Sequence, residues 1–559
     1  MTTPTTHRYM PPYILSWKLA LGTLISAVIL NACAQATQSS HEEAREAPAE
    51  VQIAASTDMV GPVITTREGD VQGYASNSIN VFKGVPYARP PIGDLRWRAA
   101  QPPLPHTSTL VTQEFGNSCM QKVILNRPVG SQSEDCLTLN IWAPKDVDEK
   151  APVMVWIHGG AFRFGSGSQA YYDGAEFAKS GIVLVTMNYR LGRFGVFNHP
   201  ALDAENDTAN FALSDQIQAL KWIKNNIDNF GGDANNVTVF GESAGAVSIG
   251  YLLTMDASRG LFEKAILQSG GGAQIAGRVK TKRGRTKPLQ STGKAWAARQ
   301  NLDDKVTAAE LRQITADNVL EAARSQGGLG AVNPVIDGVL IQDDIAKKFA
   351  AGKAAHVPIL TGSNSFESSL LASFKIKPRL ILFGFKKRQK EARKIYGLEA
   401  RGLTDTEFAY EAFADSVFTG PARDMAMSAM KHGDPAYVYH FDYRKTTGES
   451  VADGAHHGWE IPFVFKNLSS APALVGDTTN VEDMNHLADT MHAYWVNFAQ
   501  YGDPNFGKMA SWPTIQDGNV EKTMVFNNQG PHIETDFRKP QLDLQYELYQ
   551  ARLKKADKG

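Results

Sequence analysis

One pentapeptide restricts the architecture of this chain more than any other stretch. It is Gly241-Glu242-Ser243-Ala244-Gly245, preceded by the apolar run Val237-Thr238-Val239-Phe240 and followed by a helix-compatible segment to Leu253. The pattern describes a strand that turns sharply into a helix, with Gly241 and Gly245 leaving room for the turn and for close packing of helix on strand. A serine held there sits on strained backbone, its hydroxyl projecting at the sheet edge and the helix N-terminus aimed at any oxyanion formed beside it. Serines between glycines also occur in ordinary loops, so the reading of Ser243 as the serine of a nucleophile elbow stands or falls with its context.

The context is a chain of alternating strand-like and helix-like segments. Short apolar runs recur at 153–157, 182–186, 237–240, 265–267, 358–360 and 437–441. Between them lie amphipathic stretches such as Leu213, Ile217, Leu220, Ile223 and Ile227, and Leu487, Met491, Trp495 and Phe498, whose spacings of three and four place them on single helical faces. The second of these ends before Gly502 and Pro504. This alternation predicts an α/β fold with a mostly parallel sheet covered by helices on both faces. The 559 residues would allow several domains, yet no linker or internal repeat interrupts the chain after residue 60, which favours one decorated α/β domain over 57–555.

A hydroxyl is a weak nucleophile at neutral pH and needs a base, an acid that orients the base, and donors for the developing oxyanion. The donors are suggested by His158-Gly159-Gly160-Ala161-Phe162, which follows the strand-like Val153-Met154-Val155-Trp156-Ile157. A strand running into small residues leaves backbone N–H groups free, as in the glycine-rich loop that partners a nucleophile elbow. The expected donors are the amides of Gly160, Ala161 and Ala244, with His158 structural rather than basic.

With these segments in place the chain resembles the type-B carboxylesterases, the α/β-hydrolase family that includes cholinesterases and bacterial broad-specificity esterases. Further stretches in family order are Phe82-Lys83-Gly84-Val85-Pro86-Tyr87-Ala88, Glu134-Asp135-Cys136-Leu137-Thr138-Leu139-Asn140, Asn188-Tyr189-Arg190-Leu191-Gly192 and Phe230-Gly231-Gly232-Asp233. Later come Leu267-Gln268-Ser269-Gly270, Pro334-Val335-Ile336-Asp337-Gly338 and Tyr494-Trp495-Val496-Asn497-Phe498-Ala499, so the likeness spans roughly residues 60 to 550.

The resemblance implies an α/β-hydrolase fold whose long loops form a gorge, and places the remaining catalytic groups in the order Ser, acid, His. The histidine loop Gly454-Ala455-His456-His457-Gly458-Trp459-Glu460 selects His457 as base, with His456 at the family's variable position. An imidazole suits that role because its two nitrogens serve hydroxyl and acid at once. The acid falls on Glu367, in Gly362-Ser363-Asn364-Ser365-Phe366-Glu367, where Phe366 and Ser368 stand in place of the family's usual aspartate and glycine. Glu242 and Glu460 are expected in a buried network beside the histidine, with coupled titration, and Ser269 is expected to hydrogen-bond within it. The activity implied is hydrolysis of small-molecule carboxylic esters through an acyl-enzyme, with neither metal nor organic cofactor. Amide or carbamate hydrolysis by the same triad and a non-catalytic binding or adhesion role are the alternatives.

The other segments bear on location and substrate. Arg8 and Lys18 precede an apolar run over 19–30 with the proportions of a signal peptide. Leu30-Asn31-Ala32-Cys33 resembles a lipobox, which makes residues 1–33 the leader and Cys33 a lipidation candidate; ordinary cleavage near Ala32 or Ala34 is the competing reading. Residues 34–56 read as a flexible tether. The expectation is an exported protein, periplasmic, anchored at an outer membrane or secreted. The resemblance pairs Cys119 with Cys136 in a disulfide that such a compartment permits. With 57 basic and 58 acidic residues there is no global nucleic-acid signature. Two basic runs stand out, one at Arg278, Lys280, Lys282, Arg283, Arg285 and Lys287, the other at Lys386, Lys387, Arg388, Lys390, Arg393 and Lys394. They read as solvated surface, or else as charge that steers anionic esters or touches lipid headgroups. The segment 120–135 contains no aromatic residue, which argues against choline esters. Gly270, Gly271, Gly272 and Ala273 suggest room beside the acyl pocket.

Overall fold

The computed structural model describes residues 61–122, 130–145, 148–205, 207–272, 274–321, 332–447, 450–451, 453–471 and 481–558. The leader, Cys33 and the tether therefore lie outside the described residues, as does Ala273.

The centre is a mixed sheet of twelve strands. In chain order they are β1 (Tyr74–Ser76), β2 (Ile79–Pro86), β3 (Thr138–Pro144), β4 (Ala151–Ile157), β5 (Val183–Met187), β6 (Gly232–Glu242), β7 (Lys264–Gln268), β8 (Ile359–Asn364), β9 (Ala436–Asp442), β10 (Gln516–Asp517), β11 (Val520–Asn527) and β12 (Gly530–Thr535). The spatial order is β10-β11-β9-β8-β7-β6-β4-β5-β3-β2-β1, with β12 also paired to β11. Every pairing from β5 through β4, β6, β7, β8 and β9 to β11 is parallel. The flanking pairs at both edges are antiparallel. All six strand segments expected from apolar runs coincide with central strands, the runs at 182–186 and 358–360 beginning one residue early.

Period-two alternation sorts the side chains into two cores. Val153, Val155 and Ile157 of β4 join Val237, Val239, Ala265 and Leu267 on one face, where they meet Leu213, Ile217 and Leu220 of α1 (Phe211–Asn226) and Ala246 and Ile249 of α2 (Ala244–Leu252). Met154 and Trp156 point the other way, with Phe240, Ile266, Leu360 and Tyr439, against Leu487, Met491, Trp495 and Phe498 of a long helix (Val481–Tyr501). Because both faces are covered, the central strands read as continuous apolar runs rather than as alternating ones.

In a parallel sheet the strand ends that share a direction gather the loops that follow them, and a site forms outside the carboxyl ends. Here β4 ends at Ile157 before the His158 loop, β6 at Glu242 before Ser243, β7 at Gln268 before Ser269, and β8 at Asn364 three residues before Glu367. Register keeps them level, since Gly241 pairs with both Ile157 and Leu267, and Glu242 with Gln268. Cys119 and Cys136 are disulfide-bonded with Cα atoms 5.0 Å apart. Closing a loop of that size contributes about 3 kcal/mol in the chain-entropy picture.

Candidate active site

The serine turn has the backbone its sequence demands. Ser243 adopts φ +54°, ψ −117°, in a region that side chains other than glycine rarely occupy, and α2 begins at the next residue. A Cβ on Gly241 would lie 2.4 Å from the Ile157 carbonyl oxygen, and one on Gly245 only 1.9 Å from the same atom. Both positions are therefore closed to any side chain. The Ser243 N–H donates to the Gln268 carbonyl at 2.9 Å, and the Ser243 carbonyl accepts from Val247 at 2.9 Å, so neighbouring elements hold the strained residue in place.

Facing it is the loop after β4. Gly160 has φ +108° and Ala161 φ +53°, so the loop runs through two successive left-handed residues beside the cavity. The Gly160 carbonyl is fixed by the amides of Arg163 and Phe164, at 2.9 and 3.2 Å. Among the described residues, the N–H groups of Gly160 and Ala161 have no backbone acceptor, and Gly160, Ala161 and Ala244 all line the cavity that contains Ser243. His158 is buried, stacks on Tyr189 with ring centroids 4.3 Å apart, and donates from Nδ1 to the Gly159 carbonyl at 2.7 Å. Burial lowers its pKa to about 4, so it is a neutral structural ring.

The acid and base come from two distant loops that are tied to each other. The Phe366 amide donates to the Ala455 carbonyl at 2.9 Å, Ala455 N–H to Ser365 Oγ at 2.8 Å and His457 N–H to Ser369 Oγ at 3.1 Å. Glu367 is fully buried; its Oε1 accepts from the Asn364 amide at 2.8 Å and its Oε2 lies 2.5 Å from His457 Nδ1. Ser368, where a glycine was expected, has φ −70° and ψ −4°, ordinary helical values that need no glycine. The other ring nitrogen, Nε2, lies 2.9 Å from Glu242 Oε1. The contact is not in line, because Glu242 Oε1 has no hydrogen-bond partner among the described residues. The imidazole thus meets Glu367 as the sequence predicts, while its far side rests on the carboxylate next to Ser243 instead of on the hydroxyl. Glu242 is the chain neighbour of Ser243, and Ser243 and His457 line the same cavity.

Burial alone would lower the pKa of His457, but the charges of Glu242 and Glu367 outweigh it and hold the imidazole well above its ordinary value. Glu460 is raised to about 7, first by burial and then by Glu242. Its carboxylate accepts from Gln268 Nε2 at 3.1 Å and Asn364 Nδ2 at 2.5 Å. The sequence reading assigned no role to Gln268 or Asn364, although both sit in quoted motifs. It assigned Ser269 to this network, and the structure corrects that: Ser269 Oγ is buried without a hydrogen-bond partner. Its backbone turns through φ +49°, with the amide bound to the Gly362 carbonyl, and the bonds to Glu460 come from Gln268 and Asn364 instead. Phe418 packs on His457 with centroids 5.1 Å apart. It belongs to a π-helical turn, Asp415–Thr419, and Arg538 clamps Asp415 through bonds of 3.0 and 2.7 Å.

These groups open into a cavity of about 1980 Å³. One wall is a run of aromatic rings beside the base: Tyr410 against Phe366 at 5.7 Å, Phe366 against His456 at 5.2 Å, and His456 stacked on Trp459 at 4.2 Å. Phe366, a departure from the family pattern, and His456, at its variable position, therefore meet in space. The glycines at 270–272 leave less room than expected, because Ala246 and Ile345 lie against Gly270 and Gly272. Of the first basic run, Lys287 lines the cavity, whereas Arg283 is buried in an ion pair with Asp344, which removes it from any surface patch.

A strained serine on a strand-to-helix turn, amides at the end of the neighbouring strand and a carboxylate-bound histidine define a carboxylic ester hydrolase of the α/β-hydrolase fold. The carboxylesterase family model matches residues 60–545, and the chain belongs to that family. It is 34% identical over 488 residues to the para-nitrobenzyl esterase of Bacillus subtilis, covering 84% of this chain and 96% of that protein. It is 35% identical over 503 residues to the fumonisin B1 esterase of Sphingopyxis macrogoltabida, covering 86% and 89%. Among solved structures, a Geobacillus stearothermophilus carboxylesterase superposes with a TM-score of 0.75 at 31% identity, covering 86% of this chain and 99% of that one.

Proposed function

We propose that the protein cleaves carboxylic esters through a Ser243-His457-Glu367 triad and an acyl-enzyme. His457 takes the proton of Ser243 as its oxygen attacks the ester carbonyl, and the amides of Gly160, Ala161 and Ala244 receive the oxyanion. His457 then returns the proton to the leaving alcohol, and water repeats the sequence on the acyl-enzyme. Glu367 fixes the ring so that Nδ1 carries its proton and Nε2 is the basic nitrogen. The observation that carries this reading is the 2.5 Å contact of His457 Nδ1 with Glu367, made beside a serine at φ +54°.

The cavity is about twice the upper end of the usual 300–1,000 Å³ of small-molecule sites, and its aromatic wall favours bulky or aryl esters. Two relatives named for their activity on para-nitrobenzyl esters and on fumonisin B1 support the same reading. Export through residues 1–33, with lipidation of Cys33, rests on sequence alone, and the mass of the mature N-terminus tests it. A fluorophosphonate probe should label Ser243, and Ser243→Ala should abolish both labelling and ester turnover, by at least about 10⁴-fold, with the fold intact. Labelling at another serine would refute the assignment. Matched ester and amide substrates separate this reading from amide hydrolysis.

A further inference from the structure

The most exposed large apolar side chain of the described residues is Phe383, at 73%, and Leu380 beside it is 54% exposed. Both belong to adjoining short helical turns, Arg379–Leu382 and Phe383–Arg388. Leu382 and Phe385 of the same turns are buried, at 7% and 3%, in a small core with Ala392, Tyr396 and Phe408. Residues three apart share a helical face, so one pair anchors the segment while the other is turned out to water. Two adjacent apolar side chains held in this way are not scattered surface noise, because their inward neighbours fix their direction.

Along the chain, the charge from 375 to 390 has one sign. Lys375, Lys377, Arg379, Lys386, Lys387 and Lys390 surround the pair and are all exposed, with no acid in sequence between Lys375 and Glu391. Among the described residues, Arg388 is the one cation from 375 to 390 held in an ion pair, with Glu391 and Glu547. Exposed aromatic and aliphatic tips within a cluster of unpaired cations match an anionic bilayer surface: the cations meet headgroup phosphates, and the apolar tips enter the acyl boundary. A soluble polyanion would use the charge and leave Phe383 and Leu380 in water. The patch also adjoins the mouth of the active-site cavity, since Leu370, Ala372, Ser373 and Phe374, just before it in sequence, line that cavity.

We propose that residues 375–390 form a membrane-docking surface that seats the protein on anionic phospholipid, with the cavity mouth close to the bilayer. The test is sedimentation of the full chain carrying Cys33→Ser, which removes the lipidation site proposed above, with vesicles of neutral phosphatidylcholine, with and without anionic phosphatidylglycerol, across a range of salt. Anionic vesicles should bind it at least about tenfold more tightly than neutral ones, and raised salt should weaken that binding. The triple variant K386E/K387E/K390E should remove the anionic preference, and Phe383→Ser should weaken vesicle binding several-fold while leaving binding to heparin unchanged. Both variants are confined to exposed side chains, and their turnover of a water-soluble ester should stay within about twofold of the parent, which checks folding independently of docking. Equal binding to both vesicle types, or binding untouched by the triple variant, would overturn the proposal. So would heparin binding as strong as vesicle binding with Phe383→Ser silent in both, the behaviour of a polyanion site.

Discussion

The two sides of the active site are built from different materials. At the serine turn and the loop facing it, Ser243, Gly160 and Ala161 are placed by backbone: positive φ angles, and glycines at which an added Cβ would lie 1.9 Å (Gly245) and 1.8 Å (Gly160) from a carbonyl oxygen. On the histidine side, Glu367, His457, Glu242 and Glu460 come together as buried side chains contributed by segments far apart in sequence. Backbone geometry is encoded locally and tolerates almost no substitution, whereas a buried charge network is assembled over long range and tuned by each member.

The comparison breaks first at Glu367. Replacing it with glutamine keeps the shape but offers His457 Nδ1 the wrong partner, so kcat should fall by about 10³- to 10⁴-fold. A fall of less than tenfold in steady-state kinetics would show that the base is oriented by something else. On the other side, Gly160→Ala should lower kcat by about 10²- to 10³-fold with KM little changed, because its φ of +108° and the Phe164 carbonyl force the loop to move. Loss confined to KM would mean that this loop binds substrate without holding the oxyanion.

Smaller effects sharpen the contrast. Glu242 helps to hold the His457 pKa up, so Glu242→Gln should move the acid limb of the kcat/KM profile to lower pH. An unmoved limb would mean that Glu242 and His457 do not interact. Glu460 retains its proton in the fold up to about pH 7, while an unfolded glutamic acid loses it near 4.5. The native state therefore binds more protons across that window, and this group makes stability fall as pH rises from about 4.5 to 7. Thermal melts of Glu460→Gln should show a flatter pH dependence there, with activity reduced least of the four.

The same division explains what the sequence disclosed. The strands, the covered sheet and the strained turn at Ser243 were legible because they rest on local periodicity and on glycine spacing. Glu367 and His457 needed the family register, since a carboxylate in a loop carries no local signal. Gln268 and Asn364 were missed, and Ser269 was misplaced, because which neighbour meets Glu460 depends on strand register and on the turn at φ +49°. Arg283 looked like part of a solvated basic run, and only the fold brings Asp344 beside it.

The clamp of Arg538 on the π-turn that carries Phe418 against His457 bears on how the enzyme comes into being. On the ribosome Ser243 emerges long before His457, and the Arg538 guanidinium that steadies the neighbourhood of that ring follows some eighty residues later still. A nascent chain therefore presents the serine turn long before the pair of His457 and Glu367 can form, and the packing around that pair is completed later still.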